Sequence, residues 1–211
     1  MKPFFILSGI VTLNMFSVQA SAQINRVDTI INTPSDNKNF IDVHHLQAGK
    51  INFTDVANAH KKDLAVEGKY GVDFLRFWVD EKNGLVYCLS SAPDSESIIK
   101  THREAHGLLP TEIYQVVSGE TSVYKTNDGF FLDIHQLGPG NVSAKDVAEA
   151  HKKDLATQKK YGVNFINYWV DEKKGVVICL SQAKDAASII QTHKEAHGLL
   201  PVEVLKVGQG Q

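Results

Sequence analysis

The chain has 211 residues, with 22 Lys plus Arg against 24 Asp plus Glu, a formal charge of −2 and 43% hydrophobic residues. That balance excludes a basic nucleic-acid-binding surface and an acidic disordered activator, and the length allows one or two domains. Residues 1–22 read as a signal peptide, with Lys2 as the positive start, an apolar run over 4–18, and Ala20-Ser21-Ala22 as an A-x-A cleavage site. The run is short and is broken by Ser8, Thr12 and Asn14, so it does not span a bilayer. The mature chain is expected to begin at Gln23 and to be secreted or periplasmic, with no membrane attachment after cleavage.

Residues 23–39 are polar and lack a period, which predicts a leader outside the fold. Residues 40–46, F-I-D-V-H-H-L, alternate as a strand, and the sequence returns at 131–137 as F-L-D-I-H-Q-L. This is one part of an internal duplication at an offset of 91, unbroken from 40/131 to 116/207 and identical at about 60% of positions. The predicted domains are therefore 40–117 and 131–207, joined by a linker over 118–130 and followed by a tail over 208–211.

A helix follows each first strand, opened by Asn52-x-x-Asp55 or Ser143-x-x-Asp146 and stopped by Gly71 or Gly162. Residues 72–80 and 85–90 predict a strand pair turned by Asn83-Gly84, a pair that tolerates positive φ; Lys174-Gly175 is the weaker second copy. Asp80-Glu81 and Asp171-Glu172 read there as solvated turn charges. Asp94 is placed to cap a second helix ending in residues 101–110, T-H-R-E-A-H-G-L-L-P, repeated at 192–201 with Lys194 for Arg103. Gly107 suits a left-handed C-terminal stop, and Pro110 prevents any restart. A last strand over 112–117 completes the unit.

The order βαββαβ predicts an α+β protein of two tandem ferredoxin-like domains, each an antiparallel sheet with both helices on one face. By alternation, the apolar set Ile41, Val43, Leu75, Phe77 and Val79 is expected under the helices. The mixed set Phe40, Asp42, His44, Phe74, Arg76, Trp78 and Asp80 is expected on the other face. The two sheets would bury that face against each other as an intramolecular pseudo-dimer with a cavity between them, which predicts a monomer. Trp78 and Trp169 are expected in the inter-sheet core. Cys88 and Cys179, one per repeat, are expected to be buried free thiols rather than a bridge between repeats.

His102 and His106 stand i, i+4 on one helical face, as do His193 and His197, so each pair can share a cation. His44, His60, Asp42 and Asp63, with His135, His151, Asp133 and Asp154, supply further imidazole and carboxylate donors, which suit nickel, zinc or copper. Read as structural groups instead, His102 bonds a core neighbour such as Asp63 and His106 complements the helix dipole. His44 with Asp42, and His135 with Asp133, form the alternative site, facing the inter-sheet cavity either to carry a small molecule or to do general acid–base work on it. With no nucleophile elbow, no phosphate-binding glycine loop and no activated Ser or Cys, no residue is assigned a catalytic role.

The motifs A-H-K-K-D-L, Y-G-V-x-F, W-V-D-E-K, C-L and H-x-E-A-H-G-L, in this order, resemble a bacterial family of domains of unknown function that includes a small nickel-binding protein. The resemblance spans both repeats and implies a fold similar to the dimeric α/β-barrel proteins of the ferredoxin-like class. It also implies nickel as the bound ion and partner, with sequestration or sensing as the role. Family members are usually single-copy dimers, so duplication and export set this chain apart.

Overall fold

The structure is a computed structural model that describes residues 37–119 and 127–211; the expected signal peptide, most of the leader and the middle of the linker lie outside these residues. The first repeat runs β1 (Lys38–His45), α1 (Phe53–Val66), a 3₁₀ turn (Glu67–Tyr70), β2 (Asp73–Asp80), β3 (Leu85–Ala92), α2 (Ser95–Ala105) and β4 (Glu112–Ser118). The second runs β5 (Gly129–Gln136), α3 (Ala144–Tyr161), β6 (Asn164–Asp171), β7 (Val176–Ala183), α4 (Ala186–Ala196) and β8 (Glu203–Gly210). Both repeats thus have the ferredoxin-like order. The second long helix is continuous where the first tightens, because Gly68 in the first repeat stands where Lys159 stands in the second.

The caps follow the local sequence. Asn52 and Ser143 each accept the N–H three residues on, while Asp55 and Asp146 return a bond to the cap backbone. Asp94 accepts the Ser97 N–H at 2.8 Å at the start of α2. After α2, Gly107 adopts φ +79° and donates to the His102 carbonyl at 2.8 Å, which closes the helix above the histidine pair.

Each sheet is antiparallel, and the two join edge to edge rather than stack. The strand order β1-β3-β2-β8-β5-β7-β6-β4 closes into a barrel. β2 pairs with β8 through Phe77↔Gly210, Trp78↔Gln209 and Val79↔Gly208, and β4 pairs with β6 through Val117↔Val170 and Ser118↔Trp169. Closure removes the four open edges that two separate sheets would present. The expectation of two stacked sheets is corrected to this extent: their inner faces do meet, but across the interior of one continuous barrel.

That closure also inverts the expected faces of β1. Ile41 and Val43 point into the barrel with Trp78, Tyr87, Leu132, Ile134 and Trp169. Phe40 packs under the helices with Val56, Phe77, Val79 and Ile98, and Asp42 and His44 lie on that same strand face. Ile41 and Val43 join the apolar cluster supplied by the facing strands, whereas Asp42 finds its hydrogen-bond partners, His44 and His102, on the helix side. In β2 a register shift between Phe74 and Arg76 returns Phe74 to the helix side, while Ile166, the counterpart of Leu75, belongs to the barrel interior. Trp78 and Trp169 meet at 5.2 Å between ring centroids, inside the barrel as expected of an inter-sheet core. Cys88 and Cys179 are buried and free.

The hairpin acids are a second correction. Asp80 and Asp171 are buried, and they accept the N–H groups of Asn83 and Lys174 at 3.1 and 3.0 Å. Glu81 and Glu172 accept the first N–H of α1 and α3, each at 2.6 Å. Unpaired helix-start donors hold Glu81 and Glu172 against the helix while both stay exposed to water, so the correction concerns Asp80 and Asp171 alone. Only Gly84 of the Asn83-Gly84 pair takes positive φ, because the turn is a four-residue one closed by Gly84 N–H to the Asp80 carbonyl.

Candidate metal centre

The site in each repeat is assembled from three elements: the outer face of β1 or β5, the last turn of α1 or the matching turn of the longer α3, and the last turn of α2 or α4. Asp42 and His44 stand two apart on β1, so both side chains leave the same face. Asp63 comes from the buried stripe of α1 with Val56 and His60. His102 and His106 come from α2, with His106 at its C-cap.

His102 sits at the centre. Its Nδ1 is 2.9 Å from Asp63 Oδ1 and its Nε2 is 3.3 Å from Asp42 Oδ1. His193 repeats this at 3.0 Å from Asp154 Oδ1 and 3.1 Å from Asp133 Oδ1. A ring that faces a carboxylate at both nitrogens donates from both, so it is an imidazolium. Burial alone disfavours that charge, but the bonds to Asp42 and Asp63 outweigh it and raise the His102 pKa to about 9. The same balance takes His193 to about 10. Burial pushes the carboxyls of Asp42, Asp63 and Asp154 upward, yet hydrogen bonds from the histidines hold all three below the usual value; Asp133 falls to about 2.

His106 is held differently. Its Nδ1 accepts the Leu108 N–H at 3.1 Å, so its proton is on Nε2, which faces Asp63 Oδ1 at 3.1 Å. His197 does the same with Leu199 and Asp154, both at 3.1 Å. His102 Nδ1 and His106 Nε2 therefore face each other at 3.3 Å across one carboxylate oxygen, and His193 and His197 at 3.1 Å.

These atoms form a triangle of about equal edges. For Asp63, His102 and His106 the edges are 2.9, 3.3 and 3.1 Å; for Asp154, His193 and His197 they are 3.0, 3.1 and 3.1 Å. An ion bound at about 2.1 Å puts adjacent octahedral donors about 3.0 Å apart and tetrahedral donors about 3.4 Å apart. The donors fit a divalent ion, with spacing nearer the octahedral value. One buried oxygen is also left over: Asp42 Oδ2, like Asp133 Oδ2, has no hydrogen-bond partner, because His44 and His102 share the other oxygen.

The expected donors thus fall into two groups. Asp42, Asp63, His44, His102 and His106 meet in one network, as do Asp133, Asp154, His135, His193 and His197. His60 and His151 stand outside the triangles, on the wall of the adjoining cavity. His60 packs against Phe77 at 4.8 Å with neither ring nitrogen hydrogen-bonded, and burial keeps it neutral by lowering its pKa. His44 and Asp42 do not face a cavity between sheets. Cys88, which the sequence reading left as an inert core residue, lies opposite Asp42 in the β1–β3 register and within 4.8 Å of donor atoms of Asp42 and His44. Its position on the same alternating face was the available signal, but it carries meaning only once strand pairing is known. Burial, and next the Asp42 charge, push that thiol well up, so the thiolate is disfavoured.

Residues 40–116 and 131–207 each match the family described as nickel responsive protein, SCO4226-like. The chain belongs to this family. Among solved structures, SCO4226 from Streptomyces coelicolor A3(2) is 38% identical over 37% of this chain and 94% of its own, with a TM-score of 0.35. A variant of chlorite dismutase from Candidatus Nitrospira defluvii is 8% identical, covers 83% of this chain and 90% of its own, and has a TM-score of 0.50, a likeness of fold alone. A search of curated proteins found no significant match. Placed on the family match, each repeat carries one full network, so the chain holds two family domains and two candidate centres.

Proposed function

We propose that the chain is an exported protein that binds a divalent transition ion, nickel first, for sequestration or sensing, with one centre per repeat. The observation that carries this reading is the donor triangle of carboxylate and two imidazoles, formed twice with edges between 2.9 and 3.3 Å. The nickel preference rests on the family; export rests on residues 1–22, which lie outside the described part of the chain. Among the described residues no helix is long and apolar enough to cross a membrane. Asp63, His102 and His106 would hold the ion in the first repeat, and Asp154, His193 and His197 in the second. The bound ion supplies a Lewis-acid charge in place of protons.

The chain's own part is to surrender a proton. His102 carries protons on both nitrogens, and only Nδ1 belongs to the triangle, so loading should release that one proton while Nε2 keeps its bond to Asp42. His106, whose single proton is on Nε2, must pass it to Nδ1 and give up the Leu108 N–H bond to offer Nε2, which leaves the release close to one proton per centre. Titration of the mature chain with Ni²⁺ in buffers of different ionisation enthalpy measures this directly. The expected result is two ions per chain and about one proton per ion near pH 8, below the His102 value of about 9. Removing both terminal imidazoles (His106→Ala with His197→Ala) should abolish most high-affinity binding. Unchanged stoichiometry and affinity in that variant would overturn the triangle and leave Asp42, His44 and Cys88 as the donors.

A further inference from the structure

One mouth of the barrel forms a pocket that shares no lining residue with the metal centres. It lies where β1 and β5 end and where β3, β4, β7 and β8 begin, and its volume is about 530 Å³. Small-molecule pockets usually measure about 300–1,000 Å³. Matching positions of the two repeats line it, Val43 with Ile134 and Glu112 with Glu203 among them, so it belongs to the closed barrel and not to either repeat. Val43 reaches it from the face of β1 opposite to that of Asp42 and His44.

The two halves of the wall differ in chemistry. Tyr87 and Tyr114 of the first repeat are matched by Ile178 and Leu205 in the second, so one side is phenolic and the other is hydrocarbon. Tyr114 spends its hydroxyl on the Glu112 carboxylate. Tyr87 is only 6% exposed, and among the described residues its hydroxyl has no hydrogen-bond partner. Burial first, and then the charges of Glu203, Glu112 and Asp80, push its pKa well up, so the group keeps its proton. Tyr87 therefore offers a hydrogen-bond donor to the pocket, and a donor so placed is costly to leave unpaired.

Charge is confined to the rim. Glu112 and Glu203 are exposed there, and His45 lies 3.8 Å from Glu112. Lys174 stands beside the lining with its ammonium on the Ile113 carbonyl at 2.8 Å and 4.7 Å above the ring of Tyr114. The buried floor, with Val43, Ile134 and Ile178, carries no group to neutralise an ion of either sign, and the two rim carboxylates repel an anion. An uncharged ligand with an acceptor oxygen meets all of these conditions.

We propose that this mouth of the barrel binds one small uncharged molecule, its apolar body against Ile134 and Ile178 and its carbonyl or hydroxyl oxygen accepting a hydrogen bond from Tyr87. The site does not depend on the metal reading, because it lies inside the barrel while both centres lie beneath the helices.

Calorimetric titration of the full chain with acetophenone tests this. Benzoate has nearly the same shape with a charge, and ethylbenzene nearly the same shape without an acceptor. The expected result is one saturable acetophenone per chain, with benzoate weaker by roughly tenfold or more. Tyr87→Phe should weaken acetophenone by about fivefold and leave ethylbenzene within about twofold. Tyr114→Phe removes a hydroxyl already paired with Glu112, so it should leave acetophenone within about twofold. His106→Ala with His197→Ala should leave acetophenone binding unchanged, which separates this site from the metal centres. Two equivalents per chain, equal binding of benzoate, or equal weakening of acetophenone and ethylbenzene by Tyr87→Phe would each overturn the assignment. No saturable binding would overturn it too, and would leave Tyr87 served by water alone.

Discussion

His102 and His193 set the pH behaviour of the metal-free protein. Their pKa values are raised in the folded state to about 9 and about 10, against about 6.5 for a free imidazole. The stability they contribute is therefore present in full below about pH 6.5, declines as pH rises, and is gone once pH has passed their folded values. Asp42, Asp63, Asp133 and Asp154 have lowered values, so their contribution is present above about pH 3.8 and is lost as pH falls through the folded pKa, about 2 for Asp133. The melting temperature should peak between about pH 4 and 6.5 and fall toward pH 9. Calorimetric melting across that range checks it, and a melting point still rising from pH 7 to 9 would contradict the imidazolium assignment. Asp63 bonds two histidines, so its loss is costly. Asp63→Ala leaves two N–H donors facing each other with no carboxylate between them, and should destabilise by about 3–5 kcal/mol in urea unfolding. Asp63→Asn, which retains an acceptor oxygen, should cost clearly less.

At the scale of the element, each hairpin is locked to the loop that precedes a helix. Gly175 has φ +67°, and a Cβ there would lie 1.8 Å from the Gly138 carbonyl oxygen. Gly162 has φ +68° but open space around it. Replacing Gly162 by Ala should cost about 1 kcal/mol, the ordinary expense of a left-handed L residue. Gly175→Ala must in addition displace backbone and should cost distinctly more in the same unfolding experiment. Equal losses would show that the loop before α3 yields freely. The acids of this hairpin point to the same coupling, since Glu172 ties it to the first N–H of α3 at 2.6 Å. The sequence reading saw the turn and the cap separately. It missed their connection because residues 28 positions apart meet only when the sheet places them side by side.

At the scale of the whole molecule, the duplication makes one barrel from two half-barrels. Isolated, residues 40–117 would expose Ile41, Val43, Trp78, Tyr87, Tyr114 and Val116, together with the free edges of β2 and β4. Such a surface calls for a partner. The single repeat should sediment as a dimer or aggregate, with β2 and β4 pairing between copies as β2 pairs with β8 and β4 with β6 here. A monomer that persists at high protein concentration would refute the barrel's dependence on both halves.

Much was determined by local pattern alone. The 91-residue repeat, the βαββαβ order, the caps at Asn52, Ser143 and Asp94, and the meeting of His102 with His106 depend on spacing along the chain, which sequence carries directly. Alternation along β1 likewise told which residues share a face, but not what covers that face. Closure of the barrel decided this, drawing Ile41 and Val43 inside and sending Asp42 and His44 beneath the helices. The carboxylate at Asp63 reaches histidines 39 and 43 positions away, and Cys88 reaches Asp42 across a strand register. No period in the sequence encodes such distances.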